Sequence, residues 1–202
     1  MPDARLNRRK FLAVGAAGTL GVLLTPEAVL ADNEKKVELL RWDLIAITQG
    51  VVLAGGQDKA RDSASGDVVT LTGSGQAAPK RGTATGGGTF VHKHADGSPF
   101  AHGVYYVTGF DTFEGAGGTL VGTGLIDGIG TLEQTTGGVL VMRVALKPSG
   151  GGSLVGILQV DCDLPGGEQG PKEGVALAVG PFAFKQAGGG TLLHVLQGGH
   201  RD

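Results

Sequence analysis

His92, His94 and His102 are the side chains of this chain best suited to chemistry by type and spacing. They fall in F-V-H-K-H-A-D-G-S-P-F-A-H, from Phe90 to His102. Strand residues two apart share a face, so His92 and His94 point the same way. Whether His102 joins them depends on the connection. A two-residue Asp96-Gly97 loop pairs His92 with Ala101 and sends His102 to the opposite face. A three-residue loop, Ala95-Asp96-Gly97 with Gly97 left-handed, pairs His92 with Phe100 and gathers all three imidazoles. Three imidazoles with an open position would suit a divalent transition metal such as Zn²⁺, Cu²⁺ or Fe²⁺. The competing reading is a solvated hairpin tip, with Lys93 and Asp96 beside the histidines.

Arg143 is the second candidate. In V-L-V-M-R-V-A-L, Leu140, Met142, Val144 and Leu146 form one strand face. Val139, Val141, Arg143 and Ala145 form the other, which is apolar except for the arginine. Such an arginine either snorkels to solvent or pairs with a carboxylate and anchors a ligand. Asp43, Asp127 and Glu173 are the carboxylates considered for that role, with Asp43 grouped with Arg143 as ligand-binding. Cys162 lies on the apolar side of Leu158, Val160, Cys162 and Leu164, between Asp161 and Asp163. Burial and negative neighbours both raise a thiol pKa, so Cys162 reads as a core residue and not as a nucleophile. G-T-G-L-I-D-G, Gly122 to Gly128, reads as a turn. P-loop, H-E-x-x-H and G-x-S-x-G patterns are absent from the sequence, and no catalytic set is assigned.

The elements that must position these groups are strands. The apolar runs are Leu39–Ala54 (with Gly50 as a bulge or turn), Asp67–Thr72, Thr85–His94, Phe100–Phe110, Thr119–Thr123, Gly138–Leu146, Leu154–Leu164, Gly174–Val179, Phe182–Lys185 and Thr191–Leu196. They are β-branched and apolar, with glycine turns between them. Glycine occurs 39 times, without a collagen period. Beyond the leader no segment keeps a helical period. The expectation is an all-β domain, an antiparallel meander of about eight to ten strands, with a β-barrel favoured over a β-sandwich.

The first residues form a unit of their own. Arg5, Arg8, Arg9 and Lys10 precede an apolar run from Phe11 to Leu24, shorter than the ~20 residues of a membrane span. Pro26 and the small residues of Ala28-Val29-Leu30-Ala31 follow, as before a signal-peptidase cut after Ala31. N-R-R-K-F-L, Asn7 to Leu12, resembles the twin-arginine translocation motif, carried by Arg8, Arg9, Phe11 and Leu12. That resemblance implies an N-terminal signal helix, a twin-arginine translocase as partner during export, and a periplasmic or extracellular destination. Residues 1–31 are then leader and 32–202 one glycine-rich domain. A single cysteine suits a protein that finishes folding before export.

Val107 to Gly124, V-T-G-F-D-T-F-E-G-A-G-G-T-L-V-G-T-G, is similar to a glycine-rich segment of dirigent and allene-oxide-cyclase-like barrels. Val107, Thr108, Gly109, Phe113, Ala116 and Gly117 carry the match. The resemblance implies an eight-stranded barrel with an apolar cavity for a small hydrophobic ligand; it assigns no catalytic residue.

Net charge is −2 over the 202 residues. The leader holds much of the positive charge, so the remainder is mildly acidic and lacks the basic face that nucleic acid requires. It also lacks a transmembrane span. The expected function is non-enzymatic binding of a small apolar ligand or an envelope partner. The alternatives are a small-molecule cyclase or isomerase, a metal-dependent enzyme using His92, His94 and His102, and a purely structural envelope protein.

Overall fold

Short β-branched runs alternate with glycine turns throughout the described residues, 39–168 and 172–196 of a computed structural model. The signal motif and the cut after Ala31 lie outside them. The strands are β1 (Leu39–Thr48), β2 (Val51–Ala54), β3 (Asp58–Asp62), β4 (Val68–Leu71), β5 (Ser74–Ala78), β6 (Thr83–Lys93) and β7 (Pro99–Gly117). They continue with β8 (Ile126–Asp127), β9 (Thr135–Pro148), β10 (Leu154–Cys162), β11 (Gly174–Val179), β12 (Phe182–Gly188) and β13 (Thr191–Leu196).

These strands close into an all-β, ten-stranded antiparallel barrel, with β4 and β5 acting as two halves of one bent strand along β6. Two hydrogen-bonded circuits share the wall β6–β7–β9. One runs β9–β10–β11–β12–β3–β4–β6–β7 and returns to β9. The other runs β9–β13–β1–β5–β6–β7. The circuits part at the Gly188–Gly190 corner, where β12 pairs with β3 and β13 turns away to pair with β1. The β1–β2 hairpin projects from the wall and meets β8 in parallel.

Alternation along the strands fills the interior. On β9, Leu140, Met142, Val144 and Leu146 are buried, while Arg143 and Lys147 face out. Trp42 and Tyr105 occupy the centre, and the Tyr105 hydroxyl donates to Thr72 O at 3.0 Å. Glycine makes room for the indole: a Cβ on Gly86, whose φ is +128°, would fall 2.9 Å from the Trp42 ring. The gap left between Leu71, Tyr105, Val144, Leu146, Leu158 and Leu177 cannot hold a water molecule. Apolar side chains inside and lysine or arginine outside is the reverse of the polar lumen of pore-forming barrels. No helix among the described residues is long and apolar enough to cross a membrane.

Most strands fall where the sequence pattern puts them. Thr119–Thr123 is instead a turn, closed by the Thr123 amide on Leu120 O at 3.2 Å. It opens a strap, residues 118–134, that crosses the outside of β13 and includes β8. β3 and β5 are strands the pattern does not announce. The inward positions of β3 are Asp58, Ala60 and Asp62, so its alternation carries no apolar signal. β5, Ser-Gly-Gln-Ala-Ala, is made of weak strand formers held by pairing on both edges.

Candidate functional site

The histidine hairpin joins β6 to β7. Its loop has three residues, Ala95 to Gly97, closed by the His94 amide on Ser98 O at 2.9 Å. Gly97 is left-handed, φ +85°, and Asp96 Oδ1 accepts from the Ser98 amide at 2.8 Å. This is the three-residue loop, yet the register beyond it is that of the two-residue alternative: His92 pairs with Ala101 and Val91 with His102. Phe100 reconciles the two as the extra residue of a bulge between the Lys93–Pro99 and His92–Ala101 pairs. His92 and His94 therefore come together, and His102 lies exposed beside Val91.

Asp67, which the sequence reading passed over, organises the pair. Its Oδ2 lies 2.9 Å from His92 Nε2 and 3.3 Å from His94 Nδ1. Burial pushes the Asp67 carboxyl up, but the His92 hydrogen bond and the two imidazole charges outweigh it, leaving the carboxyl below its ordinary range. His92 is only 6% exposed. Around its ring stand Phe100, Phe182 and Phe184, with centroids at 4.4, 4.9 and 5.1 Å. Both imidazoles thus spend a nitrogen on one carboxylate oxygen. Among the described residues no set of three His, Cys, Asp or Glu side chains is arranged to hold a metal ion. The nearby Ser65 hydroxyl donates to Asp62 and accepts from the Asp67 amide, so it is engaged away from the imidazoles. The cluster ties the β3–β4 turn to the β6–β7 hairpin and to β12.

Arg143 stands on the outside of β9. β7 bulges between Val107 and Gly109, which sets Gly109 opposite Arg143. The guanidinium lies flat on that glycine, where a Cβ would fall 2.7 Å from Nη2. Nη2 donates to Phe110 O at 3.1 Å. Beside it opens a groove of about 390 Å³ lined by Thr108, Val144, Val155, Ile157, Ala178 and Val179. Val155 is 81% exposed although it pairs with Ala145 of β9. The carboxylates considered as partners of Arg143 are engaged elsewhere. Asp43 accepts from Arg41 Nε at 2.7 Å and Nη2 at 3.0 Å. Asp127 lies 2.7 Å from His194 Nε2. Glu173 accepts from the Asp163 amide and from the Thr191 amide and hydroxyl. The guanidinium thus faces the groove without a carboxylate from these three.

Two further polar groups escaped the sequence reading. His194 is fully buried under the strap, and Asp127 also accepts from the amides of Ile129 and Gly130 at 2.8 and 3.1 Å. Asp58 is fully buried at the circuit corner. Both were hidden because nothing local to a lone Asp or His reports its burial. Cys162 is a core residue, its thiol pushed up by burial and by the Glu173 charge and set 3.6 Å from Thr191 O. No protein-family model, curated protein sequence or solved structure matches the chain.

Proposed function

We propose that this chain is an exported, non-enzymatic binding protein that takes a small apolar molecule with an anionic head in the outer groove at Arg143. The arginine laid across Gly109 carries the reading: one guanidinium nitrogen is fixed on Phe110 O, and the others border a groove walled by Val155, Ile157 and Val179. A fixed fork of donors beside an apolar wall matches a carboxylate with a hydrocarbon body. The groove volume falls in the range of small-ligand sites. The packed barrel interior supports a site on the wall over one in a lumen. Any kinship with dirigent-type barrels rests on Val107–Gly124, whose bulged part supplies Thr108 and Gly109 to this site.

Export rests on Arg8-Arg9 with Phe11-Leu12, which would engage a twin-arginine translocase and deliver the domain to the periplasm or beyond. The packed interior also favours a second reading, a structural envelope protein with no small ligand. Calorimetric titration with decanoate and with decanol separates the two. Decanoate should bind, decanol more weakly, and Arg143→Gln should weaken decanoate by about tenfold or more. Equal binding of both by the wild-type chain, or an unchanged decanoate affinity in Arg143→Gln, would remove the anionic head from the proposal. No binding of either would favour the structural reading.

A further inference from the structure

Asp58 is the strangest residue in the wall. It opens β3, is 0% exposed, and neither carboxylate oxygen has a hydrogen-bond partner among the described residues. Glycine backbone forms its slot. A Cβ on Gly189 would fall 2.6 Å from Oδ1, and one on Gly174 would fall 3.2 Å from Oδ2. Burying an unpaired carboxylate costs more than almost any other arrangement, so such a group keeps its proton.

The neighbours make ionisation harder. Glu173, which leads into β11, and Asp161, at the end of β10, are the charged groups that act on Asp58. Asp161 accepts from Gln159 at 2.9 Å and from Gln186 of β12, an uncharged neighbour. On β4 the cross-strand partner is Leu71. Lys59 is adjacent on β3, but its side chain is exposed on the other face. The amides of Lys59 and Val175 lean toward the carboxyl and lower its pKa. Burial outweighs them, with Glu173 and Asp161 adding to it, and the Asp58 carboxyl is pushed up to about 7. Asp161 and Glu173 are themselves raised, each chiefly by burial.

The position of this acid gives it leverage. Gly188 pairs with Lys59 and so holds β12 to β3. Gly190 O accepts from the Ile45 amide at 2.8 Å and so holds the start of β13 to β1. The corner beside Asp58 is where the chain passes from one hydrogen-bonded circuit to the other.

We propose that Asp58 is a proton-held latch: protonated, it rests in the glycine slot and the β12–β13 corner is closed; ionised, it drives the corner open and loosens the hold of β12 on β3 and of β13 on β1. A folded-state pKa raised above the unfolded value means that the stabilising effect is complete in acid. It is lost as pH rises through about 7 and does not return above it. The latch therefore closes in mildly acidic surroundings and loosens in neutral to alkaline ones.

The test uses the full chain and Asp58→Asn, with thermal unfolding and amide hydrogen exchange followed from pH 5.5 to 8.5. The wild-type midpoint should fall by about 4 °C or more over that range. Asp58→Asn should fall distinctly less, and be more stable than wild type at pH 8.5. Exchange at Gln186–Thr191, corrected for its intrinsic pH dependence, should accelerate in the wild type alone. Parallel profiles for the two chains would overturn the latch, as would corner exchange indifferent to pH. Should Asp58→Asn fail to fold, wild-type exchange decides by itself: acceleration at the corner above neutral pH supports the latch, and uniform exchange refutes it.

Discussion

At the scale of single residues, glycine decides what the polar side chains can do. Arg143 lies flat because Gly109 has no Cβ in its path, and Asp58 is buried because Gly174 and Gly189 have none. Gly109→Ala would set a methyl within 2.7 Å of the guanidinium and lift it from Phe110 O. The arginine is exposed and can swing away, so stability should hold within about 0.5 kcal/mol. Decanoate affinity should nevertheless fall by about tenfold, because the head-group donors are displaced. Chemical denaturation and calorimetry on the same samples check both halves. An unchanged affinity would mean that the arginine does not need its glycine platform. Arg143 was legible as an outlier on an apolar strand face. Asp67 was not, because its partners are 25 and 27 positions away and meet it only after β4 pairs with β6.

At the scale of elements, the lesson of the β6–β7 hairpin is that a loop does not fix register alone. Asp96-Gly97 correctly announces a turn, and Gly97 adopts the left-handed conformation a three-residue loop requires. The bulge at Phe100 then resets the register and turns His102 away from His92 and His94. No residue type in the hairpin signals that bulge, so the sequence left both histidine arrangements open. β11 was read to the residue because Val175, Leu177 and Val179 alternate, and β13 because it is a short apolar run opened by the glycines before Thr191. β3 was invisible because two of its inward residues are aspartates.

The strap makes an element-scale prediction. Asp127 is its buried polar anchor, bonded to a fully buried His194 whose Nδ1 has no partner among the described residues. Asp127→Ala removes the only described partner of that ring and should destabilise the chain by about 1–3 kcal/mol. Proteolysis should then begin within residues 118–134. The Asp127 carboxyl is pushed up by burial, but the His194 hydrogen bond and the Ile129 and Gly130 amides bring it below its ordinary range. A lowered folded-state pKa means that this contribution is present above the ordinary aspartate value and lost as pH falls through the folded one. Wild type should lose strap protection in strong acid, and Asp127→Ala should show no such acid step. A strap equally protected in both chains would show that its apolar residues, Leu120, Leu125, Ile129 and Leu132, hold it without the anchor.

At the scale of the molecule, the barrel is a packed body, which is why the proposed binding surface lies on the wall. Trp42, Tyr105 and the leucines of β1, β9, β10 and β13 occupy the space that a lumen ligand would need. Composition and strand alternation made the closed all-β fold legible. They could not show whether the centre was open, because that depends on how far Trp42 and Tyr105 reach across it. They also could not show that the wall forks at Gly188–Gly190, since the fork follows from long-range pairing of β1 with β13 and β3 with β12. Opposite pH responses at the strap and at the fork are expected from opposite pKa directions: the strap's contribution is lost in acid and the fork's as pH rises.

The most direct test of the wall-binding account is amide chemical-shift mapping of the full chain during titration with decanoate. Shifts should concentrate at Thr108, Arg143, Val155–Ile157 and Ala178–Gly180 and should be lost in Arg143→Gln. Shifts centred instead on Leu71, Tyr105, Met142 and Leu158 would place the ligand inside the barrel and contradict the account.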